Sequence, residues 1–454
     1  MYSEDHTRYV LLTNGANRTN WRFDRRTLIL LSVIILPIVF FCGTYMTLFG
    51  VYEKTVYPIT QTLNVPDQLV ERSDKYGKFV NVVNTEKIGF LSHIKNISDY
   101  RQYKLVCYYN FPQNEIVQLK GENIDPNLCT HLNLAFVSVV NNTLNVENSQ
   151  LNDIKRILLL KNVNKDLKIL LSVGGAGDKN GWPEMVKNHT NRKSFIKSVM
   201  TFIKTYKIDG VDLDWEFPNI NENSDKKQKQ HFTQLLEEMF IAKRRQYLNF
   251  LITLAVAAPV NIVDFAYDIP YINEYVDFIN LMSYDYHFYT KFTPFTGLNS
   301  PLYGSSNEAS IFSSLNINYS VNYWNYKGMD KSKIVVGLPT YGHSFKLVNA
   351  RNNGLYAPAR GYGKLGSKGF IDFSQVCTFL ALNHITPVFD LETKSPYASK
   401  YTEWISFDDA QSLSYKAEFI RDNHFGGAMV YSLNTDRTIK DFAYLQGKPI
   451  KNSL

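Results

Sequence analysis

The chain has 454 residues, a formal net charge of +7 at pH 7 and an aromatic fraction of 14%, with 30 Tyr and 29 Phe. A chain of this length can bury a large core, and one large domain with appendages is expected. Its Lys and Arg residues are scattered rather than clustered, which argues against nucleic-acid binding. The 4 Cys residues are too few for a disulfide scaffold, although they leave room for one or two bridges.

The N-terminal region predicts a membrane anchor. Residues 27–51 form an uncharged, mostly apolar run of the length that a helix needs to span a bilayer, and several Arg residues precede it. The positive-inside rule then places residues 1–26 in the cytosol and the remainder in the lumen or outside the cell, as in a single-pass type II membrane protein. A cleaved signal peptide is the alternative, but its apolar region is usually shorter and nearer the start. Residues 52–100 lack strong periodicity and are interpreted as a stalk.

Eight short apolar runs follow, with helical or polar stretches between them. They are Leu105–Tyr109, Leu132–Val140, Ile169–Val173, Val211–Trp215, Phe250–Ala257, Phe278–Tyr284, Ile334–Leu338 and Gly427–Ser432. Several are apolar almost throughout, as are parallel strands that are buried on both faces. Eight strands that alternate with helices predict an α/β fold, a (β/α)8 TIM barrel, over residues 101–454. The interval 341–409 is too long for a simple loop and predicts a small α+β insertion after the seventh strand.

The stretch Asp209–Glu216 carries the strongest chemical signal. Asp212, Asp214 and Glu216 alternate with apolar residues, so a β-strand places all three carboxylates on one face. Like charges this close raise one another's pKa, and one carboxyl group is expected to keep a proton near neutral pH. A solvated strand edge or a cation site is the alternative interpretation. Glu216 falls at the carboxyl end of its strand, where barrel enzymes have their active sites, and this favours catalysis.

Polar and aromatic residues also follow other predicted strands. Tyr284 and Asp285 end the sixth strand, and Tyr431 lies near the end of the eighth, so all are expected at the same rim of the barrel. His287 and His343 are not accompanied by a cluster of further ligands. The sequence therefore predicts no metal and no cofactor.

Five motifs, taken together and in order, resemble glycoside hydrolase family 18, the chitinases and chitinase-like lectins. They are Ser172–Gly175, Asp209–Glu216, Met282–Asp285, Gly337–Gly342 and Gly426–Ser432. The resemblance implies retaining hydrolysis of β-1,4-linked N-acetylglucosamine in chitin or chitooligosaccharides, in which the substrate's own acetamido oxygen attacks the anomeric carbon. The implied partner is a glycan that contains N-acetylglucosamine.

The resemblance also implies a role for each matching residue. Glu216 would protonate the leaving oxygen and then activate water, Asp214 would orient the acetamido N–H, and Asp212 would share a proton with Asp214. Tyr284 would donate its hydroxyl to the acetamido group. The substrate-binding positions would be Tyr108, Met282, Asp285, Tyr341, Met429 and Tyr431. A core role for the two Met residues, and simple packing for Tyr108 and Tyr341, are the alternatives.

The same resemblance implies a disulfide between Cys107 and Cys129, whereas Cys377 has no obvious partner. The chain departs from the family where it has Tyr431 and Ala176 in place of Trp and His343 in place of Arg. These changes remove stacking area or a hydrogen bond, so weaker binding of long chitin chains is expected.

Two functions remain in competition. One is a glycosidase of the endo-β-N-acetylglucosaminidase type, and the other is a non-catalytic chitinase-like lectin. Lectin members of the family commonly lack the residue that corresponds to Glu216, so its presence favours the enzyme. A barrel enzyme of another class would need a phosphate cradle or a metal cluster, and the sequence shows neither.

Overall fold

A computed structural model describes residues 103–112, 119–177, 181–220, 226–308 and 310–436. All of them belong to Leu91–Leu454, one of the two units into which the chain divides. Every apolar run that the sequence assigns to the barrel forms a strand. The barrel strands are β1 (Lys104–Asn110), β2 (His131–Val140), β4 (Lys168–Gly174), β5 (Gly210–Asp214), β6 (Leu251–Ala257), β7 (Phe278–Met282), β8 (Ile334–Pro339) and β15 (Gly427–Tyr431).

These eight strands are parallel and form a closed barrel. Their order around the sheet is β1-β15-β8-β7-β6-β5-β4-β2, and β1 pairs again with β2. A short strand, β3 (Thr143–Asn145), adds an antiparallel pair to β2. The prediction of an α/β barrel is therefore confirmed. Because parallel strands are buried on both faces, their sequences are continuously apolar rather than alternating.

Helices surround the barrel and return the chain from one strand to the next. They are α1 (Asn148–Leu158), α2 (Gly181–Val186), α3 (His189–Tyr206), α4 (Gln228–Arg245), α5 (Val260–Ala266), α6 (Ile269–Tyr275), α7 (Ile317–Tyr326) and α9 (Ala410–Asp422). Short 3-10 helices lie at Gly121–Asn123, Leu159–Asn162, Ser310–Ser314 and Lys331–Lys333. Three of the α-helices begin at a side-chain cap: Asn188, Asn316 and Asp409 accept a backbone N–H three residues on. Such caps satisfy a donor that the first helical turn leaves free.

The two faces of each barrel strand belong to different clusters. On β1, Cys107 and Tyr109 pack outward into the large core between barrel and helices. Val106 and Tyr108 point inward to a smaller cluster with Tyr284, Met429 and others. Since side chains alternate along a strand, the inward residues of all strands converge inside the barrel. This inner cluster carries the polar groups of the candidate site.

A second sheet lies where the sequence predicts an α+β insertion, directly after the seventh barrel strand. It consists of β9 (Tyr341–Leu347), β10 (Ala359–Tyr362), β11 (Phe370–Asp372), β12 (Val388–Asp390), β13 (Ser395–Lys400) and β14 (Glu403–Ser406), with one helix, α8 (Phe373–Asn383). The strand order is β10-β9-β14-β13-β12, and β11 also pairs with β9. Strand β9 starts two residues after β8 ends, so the insertion begins at the rim of the barrel.

A disulfide joins the first strand to the segment before the second. Cys107 and Cys129 are bonded across a sequence separation of 22 residues, as the family resemblance implies. Cys377 is a free, partly buried thiol. The bridge ties the outer face of β1 to the chain that leads into β2.

The predicted membrane topology needs a correction. The expected membrane-spanning stretch, 27–51, lies outside the described residues, as do the tail over 1–26 and the stalk over 52–100. Within the described part of the chain, no helix combines the length and the apolar character that a membrane crossing requires. The longest of these helices, α3 and α4, carry several Lys and Arg residues and bury only one side against their neighbours. On that finding, neither a single-pass type II membrane protein nor a membrane partner is supported by the described structure.

Candidate active site

The predicted site residues meet at the carboxyl end of the barrel. Asp214 is the last residue of β5, and Glu216 follows two positions later. Tyr284 and Asp285 lie two and three residues after the end of β7, while Tyr431 ends β15. Parallel strands in a barrel all end at one rim, so residues far apart in sequence come together there.

Asp212 lies deepest and is surrounded by donors. Its carboxylate accepts hydrogen bonds from Tyr108 (2.7 Å), Ser172 (2.7 Å), Thr253 (2.6 Å) and Asn280 (3.1 Å). Complete burial raises the pKa of Asp212, and these four hydrogen bonds offset only part of that effect. The result is a carboxyl group held in one orientation by four different strands.

Asp214 lies two residues after Asp212 on β5 and is therefore closer to the rim. Burial first, then the charges of Glu216 and Asp212, raise the pKa of Asp214 well above its ordinary value. One of its oxygens, Oδ1, is buried and makes no hydrogen bond with any described residue. Such an acceptor is costly in a folded protein unless a ligand satisfies it. The raised pKa favours the protonated form of Asp214, and its Oδ1 atom presents a free acceptor.

Two glycines leave room for these side chains. A Cβ at Gly174 would lie 2.1 Å from the carbonyl oxygen of Asp214, and its φ of +112° also favours glycine. A Cβ at Gly337 would lie 2.9 Å from the ring of Tyr284 and 3.1 Å from Met429. The glycines of the Ser-x-Gly-Gly and Gly-Leu-Pro motifs therefore permit close approach of strand backbones to the site.

Aromatic rings pack around Tyr431 at the carboxyl rim of the barrel. The Tyr431 ring stacks with Tyr284 (centroids 5.9 Å apart, 27° between planes) and with Phe136 (6.5 Å, 28°). Tyr341 meets Tyr284 edge-on at 5.9 Å. Burial raises the pKa of the Tyr284 hydroxyl well above its ordinary value, so this group stays a proton donor. The hydroxyl donates to the sulfur of Met429 at 4.0 Å, a weak acceptor.

Asp285 is held in place from three sides. Its carboxylate accepts hydrogen bonds from the Tyr341 hydroxyl and from Nε2 of His343, each at 2.7 Å. Its backbone N–H donates to Asn299 (2.9 Å), whose amide in turn donates to the Tyr341 carbonyl oxygen. Asp285 has a φ of +56°, and this hydrogen bonding stabilises a conformation that non-glycine residues adopt rarely. The exposed carboxylate thus has a fixed position beside the cleft.

The sequence matches Glycosyl hydrolases family 18 over residues 104–436. That range covers the whole barrel and the insertion. The chain belongs to glycosyl hydrolase family 18.

Known proteins similar to this family 18 chain include a chitotriosidase, a chitinase-like protein and a pseudo-chitinase. Human chitinase-3-like protein 2 is 38% identical over 349 residues, which are 74% of this chain and 87% of the relative. Mouse chitotriosidase-1 is 37% identical over 347 residues, which are 73% of each chain. A solved structure of human YKL-39, described as a pseudo-chitinase with retained chitooligosaccharide binding properties, has a TM-score of 0.72 and 35% identity. It covers 77% of this chain and 99% of its own.

The two Met residues of the family 18 motifs differ in how deeply they are buried. Met429 is fully buried in the inner cluster, whereas Met282 is only partly buried and packs against it. Met429 therefore contributes to the packing around Tyr284. Tyr108 is fully buried, and its hydroxyl is committed to Asp212. It thus lies behind the carboxylates rather than in the open cleft.

Several residues that complete the site were not predicted as site residues. Besides Asn299, they are Ser172, Thr253, Asn280 and Phe136. Thr253 and Asn280 are polar residues inside otherwise apolar strands. Because buried polar side chains need hydrogen-bond partners, their positions in the sequence indicate a polar site inside the barrel. Phe136 and Asn299 have no such signal, because many aromatic and amide residues occupy similar positions.

The opposite end of the barrel, where the strands begin, has a cavity lined by charged residues. A cavity of about 320 Å³ is lined there by Lys104, Lys168, Asp209 and His131, among others. Burial, together with the nearby Lys104 and Lys168, lowers the pKa of His131 to about 4. The Asp209 carboxylate accepts hydrogen bonds from Lys161 (2.6 Å) and from the backbone N–H of Ile169 (2.8 Å). Among the described residues, no group of three or more His, Cys, Asp or Glu could hold a metal ion.

Proposed function

We propose that this chain hydrolyses β-1,4-linked N-acetylglucosamine glycans, such as chitooligosaccharides, with retention of configuration. The observation that carries the proposal is Asp214, a buried carboxyl group with a raised pKa and a free acceptor oxygen. It lies beside Glu216 at the carboxyl rim of a barrel whose family contains chitinases. The three-carboxyl arrangement suits a reaction that needs one general acid and a polar group for a developing positive charge.

Glu216 is the proposed acid and base. In the first step the acetamido oxygen of the substrate bonds to the anomeric carbon while the glycosidic C–O bond breaks, and the leaving oxygen takes the proton of Glu216. In the second step Glu216 takes a proton from water as the water oxygen attacks the anomeric carbon. The oxazolinium ring then opens, which restores the acetamido group and leaves the same anomer as in the substrate.

Asp214 and Tyr284 are proposed to hold the acetamido group. The free oxygen of Asp214 would accept the acetamido N–H, and the Tyr284 hydroxyl would donate to the acetamido oxygen. As positive charge develops on the oxazolinium, Asp214 stabilises it and the proton is shared with Asp212. Four donors keep Asp212 in position for that exchange.

The remaining predicted residues are proposed to bind the sugar. Tyr431 offers its ring as the floor, while Met282, Met429 and Tyr341 form the walls and Asp285 accepts sugar hydroxyls. Tyr108 acts on the substrate only through Asp212, since its hydroxyl is already bonded there.

The alternative is a non-catalytic chitinase-like lectin. It is supported by the similarity to YKL-39, a pseudo-chitinase that retains chitooligosaccharide binding. The smaller floor at Tyr431 also fits binding without efficient turnover. The presence of Glu216 together with Asp212 and Asp214 favours the enzyme, because a lectin needs no general acid.

The turnover of a fluorogenic chitobioside by the full-length protein separates the two functions. Glu216→Gln is expected to lower kcat by about 10²–10⁴-fold, since it removes a general acid–base group. Glu237→Gln makes the same chemical change at an exposed position on α4 and serves as the matched control. If the unchanged protein and Glu216→Gln show the same background rate, the enzyme is excluded. Calorimetry with chitooligosaccharides then tests the lectin.

A further inference from the structure

The cavity at the amino ends of the barrel strands brings positive charges together. Its volume is about 320 Å³, and Lys104, His131 and Lys168 line it from the first residues of β1, β2 and β4. Strands β2 and β4 pair in register, with His131 directly beside Lys168. Since paired residues of parallel strands lie about 4.8 Å apart and face the same way, these two side chains share one side of the cavity.

A single aromatic ring brings Lys104 and His131 together. The ring of Phe278, at the start of β7, lies 5.3 Å edge-on from the imidazole of His131 and 5.4 Å from the ammonium nitrogen of Lys104. Phe278 belongs to the cluster inside the barrel. Lys104 also donates to the carbonyl oxygen of Ser332 at 3.4 Å, which helps to hold its side chain in place. The two polar groups therefore converge at the base of the barrel interior from different strands.

The imidazole of His131 has one nitrogen bound and one open. The Thr130 hydroxyl donates to the carbonyl oxygen of Leu105 at 3.0 Å, so the 2.7 Å contact between Thr130 Oγ1 and His131 Nδ1 makes Nδ1 the donor. Nε2 makes no hydrogen bond with any residue that the structure describes. Burial first, then the charges of Lys104 and Lys168, lower the pKa of His131 to about 4. Two cations thus lie beside a histidine that they keep neutral.

Two carboxylates also line the cavity, but they do not neutralise these lysines. Asp209 accepts hydrogen bonds from Lys161 at 2.8 and 2.6 Å, so its charge is already balanced. Asp166 is exposed and forms no ion pair within the described part of the chain. The Lys168 ammonium likewise has no hydrogen-bond or ion-pair partner among the described residues. The cavity therefore retains positive charge that a ligand can neutralise.

We propose that this cavity binds a small tetrahedral oxyanion, of the phosphate or sulfate class, between Lys104, Lys168 and Nε2 of His131. Hydrogen bonds from cationic donors to such anions are among the strong ones in proteins. A bound anion offsets the repulsion from the two lysines, so Nε2 gains a proton and becomes a third donor. The volume of about 320 Å³ also leaves room for bridging waters beside the anion.

The imidazole signal of His131 reports binding without any turnover. The full-length protein is labelled with carbon-13 at Cε1 of its 9 His residues, and His131→Gln identifies the signal of His131. Sodium sulfate is added at about pH 6, with sodium chloride at equal ionic strength as the reference. The His131 signal should shift and saturate in sulfate, and the affinity of His131 for a proton should rise about tenfold. The signal of His343, at the carboxyl rim, should not move.

Lys168→Met removes one of the two cations, and Lys193→Met is the matched control. Lys168 is exposed at the start of β4, so its replacement is expected to leave the fold intact. Lys193 is exposed on α3, outside the cavity. Lys168→Met should weaken sulfate binding by about tenfold, because a charged donor is lost, whereas Lys193→Met should leave it unchanged.

Glucose 6-sulfate in a parallel titration distinguishes two sources of the oxyanion. Tighter binding of glucose 6-sulfate would show that a sugar carries it, and tighter binding of inorganic sulfate would show that the ion is free; both support the site. Equal responses to chloride and to both sulfates, or equal losses of binding for Lys168→Met and Lys193→Met, would overturn the inference. Saturation only at molar sulfate would indicate an adventitious ion only and would overturn it too. None of these outcomes involves Glu216, so the proposed function is tested separately.

Discussion

At the scale of single residues, the site depends on carboxyl groups that the fold removes from water. Asp212 and Asp214 are both buried, yet only Asp212 is fully hydrogen-bonded by its neighbours. Asp214 retains a free oxygen next to Glu216. A buried carboxyl group without partners costs folding free energy, and proteins keep such groups chiefly where function requires them.

Asp214→Asn should stabilise the protein increasingly as pH rises. The pKa of Asp214 is raised in the folded state. At a pH below the unfolded-state pKa, the folded and unfolded proteins both carry the Asp214 proton, and Asp214 does not lower the stability. Above that pKa the unfolded state loses the proton first, and stability falls until the folded-state pKa is passed. Thermal unfolding of both proteins can be followed from about pH 3.5, near the unfolded-state pKa of Asp, to about pH 8. The difference in Tm between the two proteins should grow with pH.

Asp264→Asn is a control for which the opposite change in Tm is expected. Burial raises the pKa of Asp264, but hydrogen bonds from Tyr323 and Lys327 outweigh burial and lower it overall. Its stabilising contribution is present above the unfolded-state pKa, so Asp264→Asn should lower the Tm at neutral pH and have less effect in acid. A Tm difference for Asp214→Asn that does not change with pH would contradict the account of Asp214.

At the scale of elements, one buried ion pair fixes the last helix. Lys416 on α9 has no exposed side-chain area and bonds to Asp408 and to Ser300 (3.3 Å). The Ser300 hydroxyl donates to the carbonyl oxygen of Ser283, at 2.8 Å, directly before Tyr284. The helix is thereby linked through buried polar groups to the strand end that carries the site.

Lys416→Met should lower the free energy of unfolding by about 3–5 kcal/mol, because it leaves Asp408 buried without its cation. The double variant Lys416→Met/Asp408→Leu should recover most of that loss, since it removes both charges. Lys327→Met breaks an exposed pair with Asp264 and should cost less than about 1 kcal/mol. Urea unfolding measures all three. A double variant that is less stable than Lys416→Met would contradict this account of the pair.

The elements themselves could be predicted well from the sequence. Buried parallel strands are continuously apolar, and all eight barrel strands were recognisable for that reason. The contacts of the site could not be predicted in the same way. Ser172, Thr253 and Asn280 meet Asp212 from β4, β6 and β7, and only the register of the closed barrel brings them together. The position of Phe288 beside His343 depends likewise on how the insertion folds back on the rim.

At the scale of the whole molecule, the barrel and its insertion contribute different residues to the candidate site. The barrel supplies the carboxyl groups at the ends of its strands, while the insertion supplies Tyr341, His343 and the exposed rings beside them. Tyr431 and Ala176 stand where the family resemblance leads us to expect Trp, so we expect less stacking area for a sugar at these positions. The intact carboxyl groups at the rim support the proposed hydrolysis.

The proposed reaction is retaining hydrolysis by Glu216 with help from the substrate's acetamido group. Proton NMR of the anomeric signals during the first minutes of chitotetraose cleavage tests it most directly. If the mechanism is retaining, the full-length protein releases the β-anomer first, which then equilibrates with the α-anomer, while Glu216→Gln releases neither. Initial release of the α-anomer, or no product from the unchanged protein, would contradict the account.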